Sequence, residues 1–261
     1  LGFASGGLVQ VYVADLGVSP RQYALVSHQA GNSGSGADDH AVDPHISADG
    51  QVVVFASRAS NLVSGVPMVS HIFAGVSPWT ADVTLLSRET GTAGTPFDRD
   101  SVMPFVNSGA THGAFTSIAT NLGGSGAAVF IRELSAPHTT SRVAESPFAF
   151  EVIIGPSVQL AGADRVGLTA DGRFLSYTRR VPNADAPFGR PRDLQIRVLD
   201  RSTGSERVVS IGPVGGPGNG YSFTSAVSAD GRWAVFRSIA DDLVVGDRNG
   251  TVDVFGHGPL R

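Results

Sequence analysis

The stretch Asp38-Asp39-His40-Ala41-Val42-Asp43-Pro44-His45 is the densest polar cluster of the chain. Two chemistries suit it. His40, Asp43 and His45 form a nitrogen and oxygen donor set of the kind a transition metal takes. Alternatively Asp43-Pro44 makes a solvated Asx turn, in which the carboxylate bonds its own backbone. Asp98, Asp100 and Pro104 recur at nearly equivalent places further on, which favours the turn. A second cluster, Gly246-Asp247-Arg248-Asn249-Gly250-Thr251-Val252-Asp253, places side-chain oxygens of Asp247, Asn249 and Asp253 around a glycine turn. Hard cations such as Ca²⁺ take such ligands, although a full calcium loop carries more acids and a terminal bidentate Glu. The other reading is again a β-turn closed by its own Asx side chains. The corresponding stretches Ser64-Gly65-Val66-Pro67 and Gly123-Gly124-Ser125-Gly126 have no acids, so at most one calcium site is expected and no other cofactor. A third chemistry is glycoside hydrolysis, which needs two carboxylates roughly 5–10 Å apart. Asp43 and Asp100 are its candidates, with Arg165 and Ser225 at the corresponding places of two later segments. No Gly-x-Ser-x-Gly nucleophile elbow occurs. His71 and His112 lie in apolar runs and read as packed side chains; His138 and His257 are dispersed.

The elements that must position these groups repeat. Ser47-Ala48-Asp49-Gly50-Gln51 leads into Val52-Val53-Val54-Phe55-Ala56-Ser57, and Ser228-Ala229-Asp230-Gly231-Arg232 into Trp233-Ala234-Val235-Phe236-Arg237-Ser238. Thr169-Ala170-Asp171-Gly172-Arg173 precedes Phe174-Leu175-Ser176-Tyr177. A worn copy, Asn107-Ser108-Gly109, precedes Gly113-Ala114-Phe115. The terminal aromatics Phe55, Phe115, Tyr177 and Phe236 recur at a spacing of about 60 residues, the signature of an array of equivalent units. Asp-Gly between two apolar runs marks a hairpin, because Gly supplies the positive φ of the tight turn. Two further Val-, Phe- and Thr-rich runs complete each unit, for example Ile72-Phe73-Ala74 and Val83-Thr84-Leu85-Leu86-Ser87. No helical period with caps is present. Four antiparallel strands per unit, radially repeated, predict an all-β propeller. The runs are apolar on both faces, as expected when each sheet is covered on both sides.

The run Ser-Ala-Asp-Gly-Arg-x-x-Val-Phe-x-Ser, then Asp/Asn-Leu-Val, then Gly-Asp-x-Asn-Gly-x-x-Asp-Val-Phe, best preserved from Ser228 to Phe255, resembles the TolB-type, WD40-like (PD) propeller repeat of bacterial cell-envelope proteins. The copy from Ser47 matches through Ser60-Asn61-Leu62-Val63, and Asn121-Leu122 repeats the Asn-Leu pair. The resemblance implies a periplasmic or extracellular binding propeller. Such propellers serve many unrelated partners, so the resemblance names a fold and not a ligand.

The repeats divide 261 residues into blades of approximately 1–42, 43–102, 103–164, 165–224 and 225–261, one propeller domain with incomplete first and last blades. That is five blades if the chain is complete, or part of a six- to eight-bladed ring. Leu1-Gly2-Phe3-Ala4-Ser5 aligns with Val53 to Ser57, so Leu1 is read as the cut end of a longer chain that carries no signal peptide here. All 19 basic residues are Arg, scattered along a chain of net charge −4, which argues against nucleic-acid binding. No apolar stretch approaches the length of a membrane span. Cysteine is absent, which excludes disulfides. The expectation is a monomeric, non-catalytic platform that engages a protein or small ligand at the channel mouth, where the segments 36–45, 96–104, 160–166 and 218–225 converge. Its candidate contacts are His40, Asp43, His45, Asp98, Asp100, Arg165, Tyr221 and Phe223. The alternative is the glycosidase on a five-bladed propeller.

Overall fold

The computed structural model describes residues 7–124, 126–145, 150–154, 157–161, 165–180 and 194–260. The expectations for Leu1 to Ser5 and for positions 162–164 of the segment 160–166 fall outside them. Among the described residues there is no helix. Every strand pairs antiparallel.

Strands β1 (Tyr12–Asp15) and β2 (Gln22–Leu25) pair as blade I. A hairpin of β3 (His28–Gln29) and β4 (Asn32–Gly36) follows. Blade II is β5 (Ala41–Ile46), β6 (Val52–Ser57), β7 (His71–Val76) and β8 (Thr84–Leu85), in that order across the sheet. Blade III is β9 (Ser101–Val106), β10 (His112–Ser117), β11 (Ala128–Glu133) and β12 (Thr140–Glu145). A second hairpin, β13 (Phe150–Ile154) and β14 (Ser157–Ala161), is inserted before blade IV. Blade IV is β15 (Gly167–Leu168), β16 (Phe174–Arg180), β17 (Leu194–Asp200) and β18 (Ser205–Val208). Blade V is β19 (Ser222–Val227), β20 (Ala234–Ser238) and β21 (Asp253–His257). The architecture is the all-β propeller that the repeat predicts. The two inserted hairpins carry no repeat signal and were not foreseen.

The repeated motif folds as it does for local reasons. Oγ of Ser47 donates to Asp49 and accepts the Val52 N–H, and Asp49 also accepts the Gln51 N–H. Thr169 with Asp171, and Ser228 with Asp230, repeat the arrangement. The motif acids are therefore spent on the turn. The hydroxyl bond to Ser47 is the main reason the Asp49 carboxyl is held below its usual range. At the other end of the hairpin Ser57, Ser117 and Ser238 each donate Oγ–H to the backbone that enters the blade, at His40, Asp100 and Tyr221, and each accepts an N–H two residues on.

Alternating faces of each sheet build the cores between blades. In blade II, Val53, Phe55, Phe73 and Leu85 pack toward Val11 and Val26 of blade I, whereas Val54, Ala56 and Ile72 pack toward Val106, Phe115 and Phe130 of blade III. Ala114, Val129 and Ile131 meet Leu168, Leu175 and Tyr177 of blade IV, and Ile196, Val198 and Val209 meet Ala234 and Phe236 of blade V. The four periodic aromatics are thus the same buried position in four blades, each contributing on the order of 2–3 kcal/mol of burial.

Candidate channel-mouth site

The innermost strands carry the site. In β5, β9 and β19 the pairing slips at one place: between Val42 and His45, between Val102 and Phe105, and between Phe223 and Ser225. The slipped residues Asp43, Met103 and Thr224 have φ of 51°, 55° and 49°. A bulge of this kind bends its strand and re-aims a side chain. For β-branched Thr224 the left-handed conformation is also strained. Counting back four residues from each hairpin turn gives Asp43, Met103, Arg165 and Thr224 as one position. The equivalent of Asp43 is therefore Met103, and Asp100 lies three residues earlier.

These inner positions converge. Arg165 of blade IV reaches to 4.0 Å from the Asp43 carboxylate of blade II, across the intervening blade III. The His45 ring lies 4.3 Å from that of Phe105, and its Nδ1 accepts the Val106 N–H at 3.4 Å. Burial, and then the Arg165 charge, hold the His45 imidazole below its usual range, so the ring is neutral at pH 7. His45, Phe105 and Arg165 share a pocket of about 340 Å³ with Thr224, Ser225, Phe236 and Arg237. Arg237 stands 5.0 Å over the Phe223 ring, a cation–π contact. Val235 and Val254 continue the pocket onto the outer face of blade V and are exposed.

The other nominated residues sit elsewhere. Nδ1 of His40 accepts the Val9 N–H at 3.0 Å. Asp98 accepts the backbone N–H of Thr120 at 2.8 Å and its hydroxyl, as Asp38 does for Ser60 one blade earlier. Asp100 is only 5% exposed and is held by Arg58 and by the Ser70 N–H. Tyr221 is half-buried, and its carbonyl accepts Ser238 Oγ–H and the Ile239 N–H. The carboxylate pair that a glycosidase would draw from Asp43 and Asp100 is thus one acid beside Arg165 and one buried acid held by the half-buried Arg58. Among the described residues no three His, Asp or Glu side chains gather to hold a metal. In the turn at Asp247, the Asn249 amide N–H donates to Asp253, its Oδ1 accepts the Thr251 N–H, and Asp247 accepts the Asn249 N–H. Sequence reasoning missed Phe105 and Arg237. Phe105 was findable, because it stands two residues before Asn107 as His45 stands two before Ser47.

The bulged inner strands, the hairpin motif and the interleaved blade cores define a β-propeller. No protein-family model matches the chain, and no curated protein does. Solved structures do. The β-propeller domain of the Trilobed protease from Pyrococcus furiosus superposes with a TM-score of 0.53 at 10% identity, over 95% of this chain and 60% of that one. The tricorn protease gives 0.51 at 11%, over 83% of this chain and 18% of its own. TolB from Acinetobacter baumannii gives 0.44 at 15%, over 97% and 50%. This chain spans less than two thirds of each of these proteins. At these identities the likeness concerns the fold. No helix of the described residues is long and apolar enough to cross a membrane.

Proposed function

We propose that this propeller is a non-catalytic binding platform of the cell envelope or exterior, and that its channel-mouth pocket takes an acidic segment of a protein partner. The observation that carries the reading is the pairing of Arg165 and Arg237 around an aromatic floor of Phe105 and Phe236, in a pocket that opens onto the exposed Val235 and Val254. Arg237 has no carboxylate within 4 Å among the described residues, and Arg165 has only the marginal one of Asp43. A carboxylate brought there gains two charge-assisted bonds, and the valines offer the flat apolar rim that a protein partner covers better than a small molecule. Location in the envelope rests on the repeat resemblance alone.

Fluorescence anisotropy with labelled peptides of matched length tests the proposal. Acidic peptides with an aromatic residue are expected to bind, and their basic counterparts are not. Arg165→Glu with Arg237→Glu lowers the affinity at least about a hundredfold, whereas the remote Asp247→Asn leaves it unchanged. Equal binding of acidic and basic peptides refutes the site. Robust turnover of chromogenic glycosides or peptides, lost in Asp43→Asn, refutes the non-catalytic reading.

A further inference from the structure

A second cavity lies away from the channel, between blades II and III, at the edge that carries the hairpin turns. It holds about 540 Å³, within the roughly 300–1,000 Å³ of small-molecule sites. Its walls are largely hydrocarbon, with Val76, Leu85 and Leu86 from blade II and Ala110 and Leu134 from blade III, and Thr84, Thr92, Ser135 and His138 add polar groups. Two guanidinium groups, Arg88 and Arg132, line the same cavity.

Arg132 is the unusual feature. It is 3% exposed, yet no carboxylate among the described residues lies within 4 Å of it or of Arg88. Neighbouring Glu133 turns to the other face of the strand, where it lies in the field of His112 and Arg201. The Arg132 donors go instead to neutral acceptors: the carbonyls of Glu89 and Gly91 at 2.9 and 2.8 Å, and Thr140 Oγ1 at 2.6 Å. The charge that acts on it is a second cation, Arg88. Burial and then Arg88 push the Arg132 pKa down to about 10. The repeat does not demand this arginine. The same register position is Gly75 in blade II, Leu199 in blade IV and His257 in blade V. A buried cation without a counter-ion is costly, and a second cation at its side compounds the cost. Among the described residues the Arg88 side chain donates only through Nε, to the Gly94 carbonyl 2.9 Å away.

We infer that this interblade cavity binds an amphipathic carboxylate, with the hydrocarbon body between Val76, Leu86 and Leu134 and the carboxylate on Arg88 beside Arg132. The ligand supplies the charge that the protein omits, and the cavity supplies the apolar walls that a hydrocarbon chain prefers to water. The site is independent of the channel mouth and stands or falls apart from it.

Calorimetric titration of the full chain with dodecanoate, below its micelle threshold, tests the inference. One dodecanoate binds per chain, and dodecyltrimethylammonium, with the same tail and the opposite charge, binds at least about tenfold more weakly. Arg88→Gln, at a half-buried position whose loss leaves the Arg132 bonds in place, lowers dodecanoate affinity about tenfold. Val76→Glu, at the exposed rim of the cavity, abolishes binding. The Arg165→Glu, Arg237→Glu variant binds dodecanoate as the parent does. No saturable binding, equal binding of the two head groups, an unchanged affinity in Arg88→Gln, or loss in the channel variant each overturns the proposal.

Discussion

His71 shows how a residue that looks available for chemistry can be committed to the fold. It is buried, with Nδ1 2.8 Å from the Ser87 hydroxyl, and that oxygen accepts the Ile72 N–H. Blades I and IV repeat the clip with glutamine: Ser27 donates to Gln10 Oε1, and Ser210 to Gln195 Oε1, while the same hydroxyls accept the N–H of Val11 and Ile196. His71 therefore serves as an acceptor, which requires the neutral ring. Desolvation is the main cause that pushes its pKa down to about 4, against a weaker pull from the Pro67 carbonyl and Asp100. The unfolded chain binds a proton near pH 6.5 that the folded chain refuses until about pH 4. Stability is accordingly full above pH 6.5 and falls as the pH drops toward 4, by up to about 3 kcal/mol from this residue. His45, His112 and His257 are also lowered and add in the same direction. Urea denaturation across this range should show the loss. His71→Gln, which restores the acceptor of the other two blades without a titrating group, should remove the larger part of the slope between pH 6.5 and 4.5. An unchanged slope excludes His71 as its source.

At the scale of the element, the hairpin turns are the part of the fold most legible in the sequence. Asp-Gly after Ser or Thr requires a left-handed glycine, and Gly50 and Gly172 have φ of 69° and 70°. What surrounds each turn was not legible. A Cβ on Gly50 meets nothing within 4 Å, whereas one on Gly172 falls 2.5 Å from the His112 ring of the preceding blade. Gly50→Ala should therefore cost about 1 kcal/mol, from backbone strain alone. Gly172→Ala should cost roughly 2–3 kcal/mol, because the ring must also move. Equal costs in equilibrium unfolding contradict this account of the interblade contact. The same contrast explains the site. Asp43, His45 and Arg165 were placed by counting within the repeat. Asp100 was misplaced by three residues, because the worn turn Asn107-Ser108-Gly109 obscures the count; counted from Asn107, the equivalent of Asp43 is Met103. What the sequence does not show is that this position is a bulge, which depends on pairing between strands. The hairpins β3–β4 and β13–β14 interrupt the period and so carry no repeat from which to read them.

The whole molecule is a chain of nearest-neighbour interfaces, and its stability should be distributed accordingly. Blades II and III share the largest aromatic core, with Phe97, Phe115 and Phe130 at ring separations of 4.8 to 5.9 Å. Blade V is covered on one face only. Val235 is 47% exposed where its counterparts Val54, Ala114 and Ser176 are at 0–1%, and Val254 is 75% exposed where Ile72, Val129 and Ile196 are at 0–2%. A sheet without its second layer gains half the apolar burial of its neighbours for the same backbone ordering cost, so it opens at lower free energy. Hydrogen exchange read by mass spectrometry should find the amides of β10 and β11 the slowest in the chain. Those of β20 and β21 should exchange at least about tenfold faster at neutral pH. The acidic peptide of the channel mouth touches Arg237 and the exposed valines, so it should slow exchange in β20 and β21 first. Dodecanoate between blades II and III should instead protect β7, β8 and β11. The two ligands thereby leave separable footprints on one array. Protection of blade V equal to that of blade III, without any ligand, contradicts the one-sided burial on which this gradient rests.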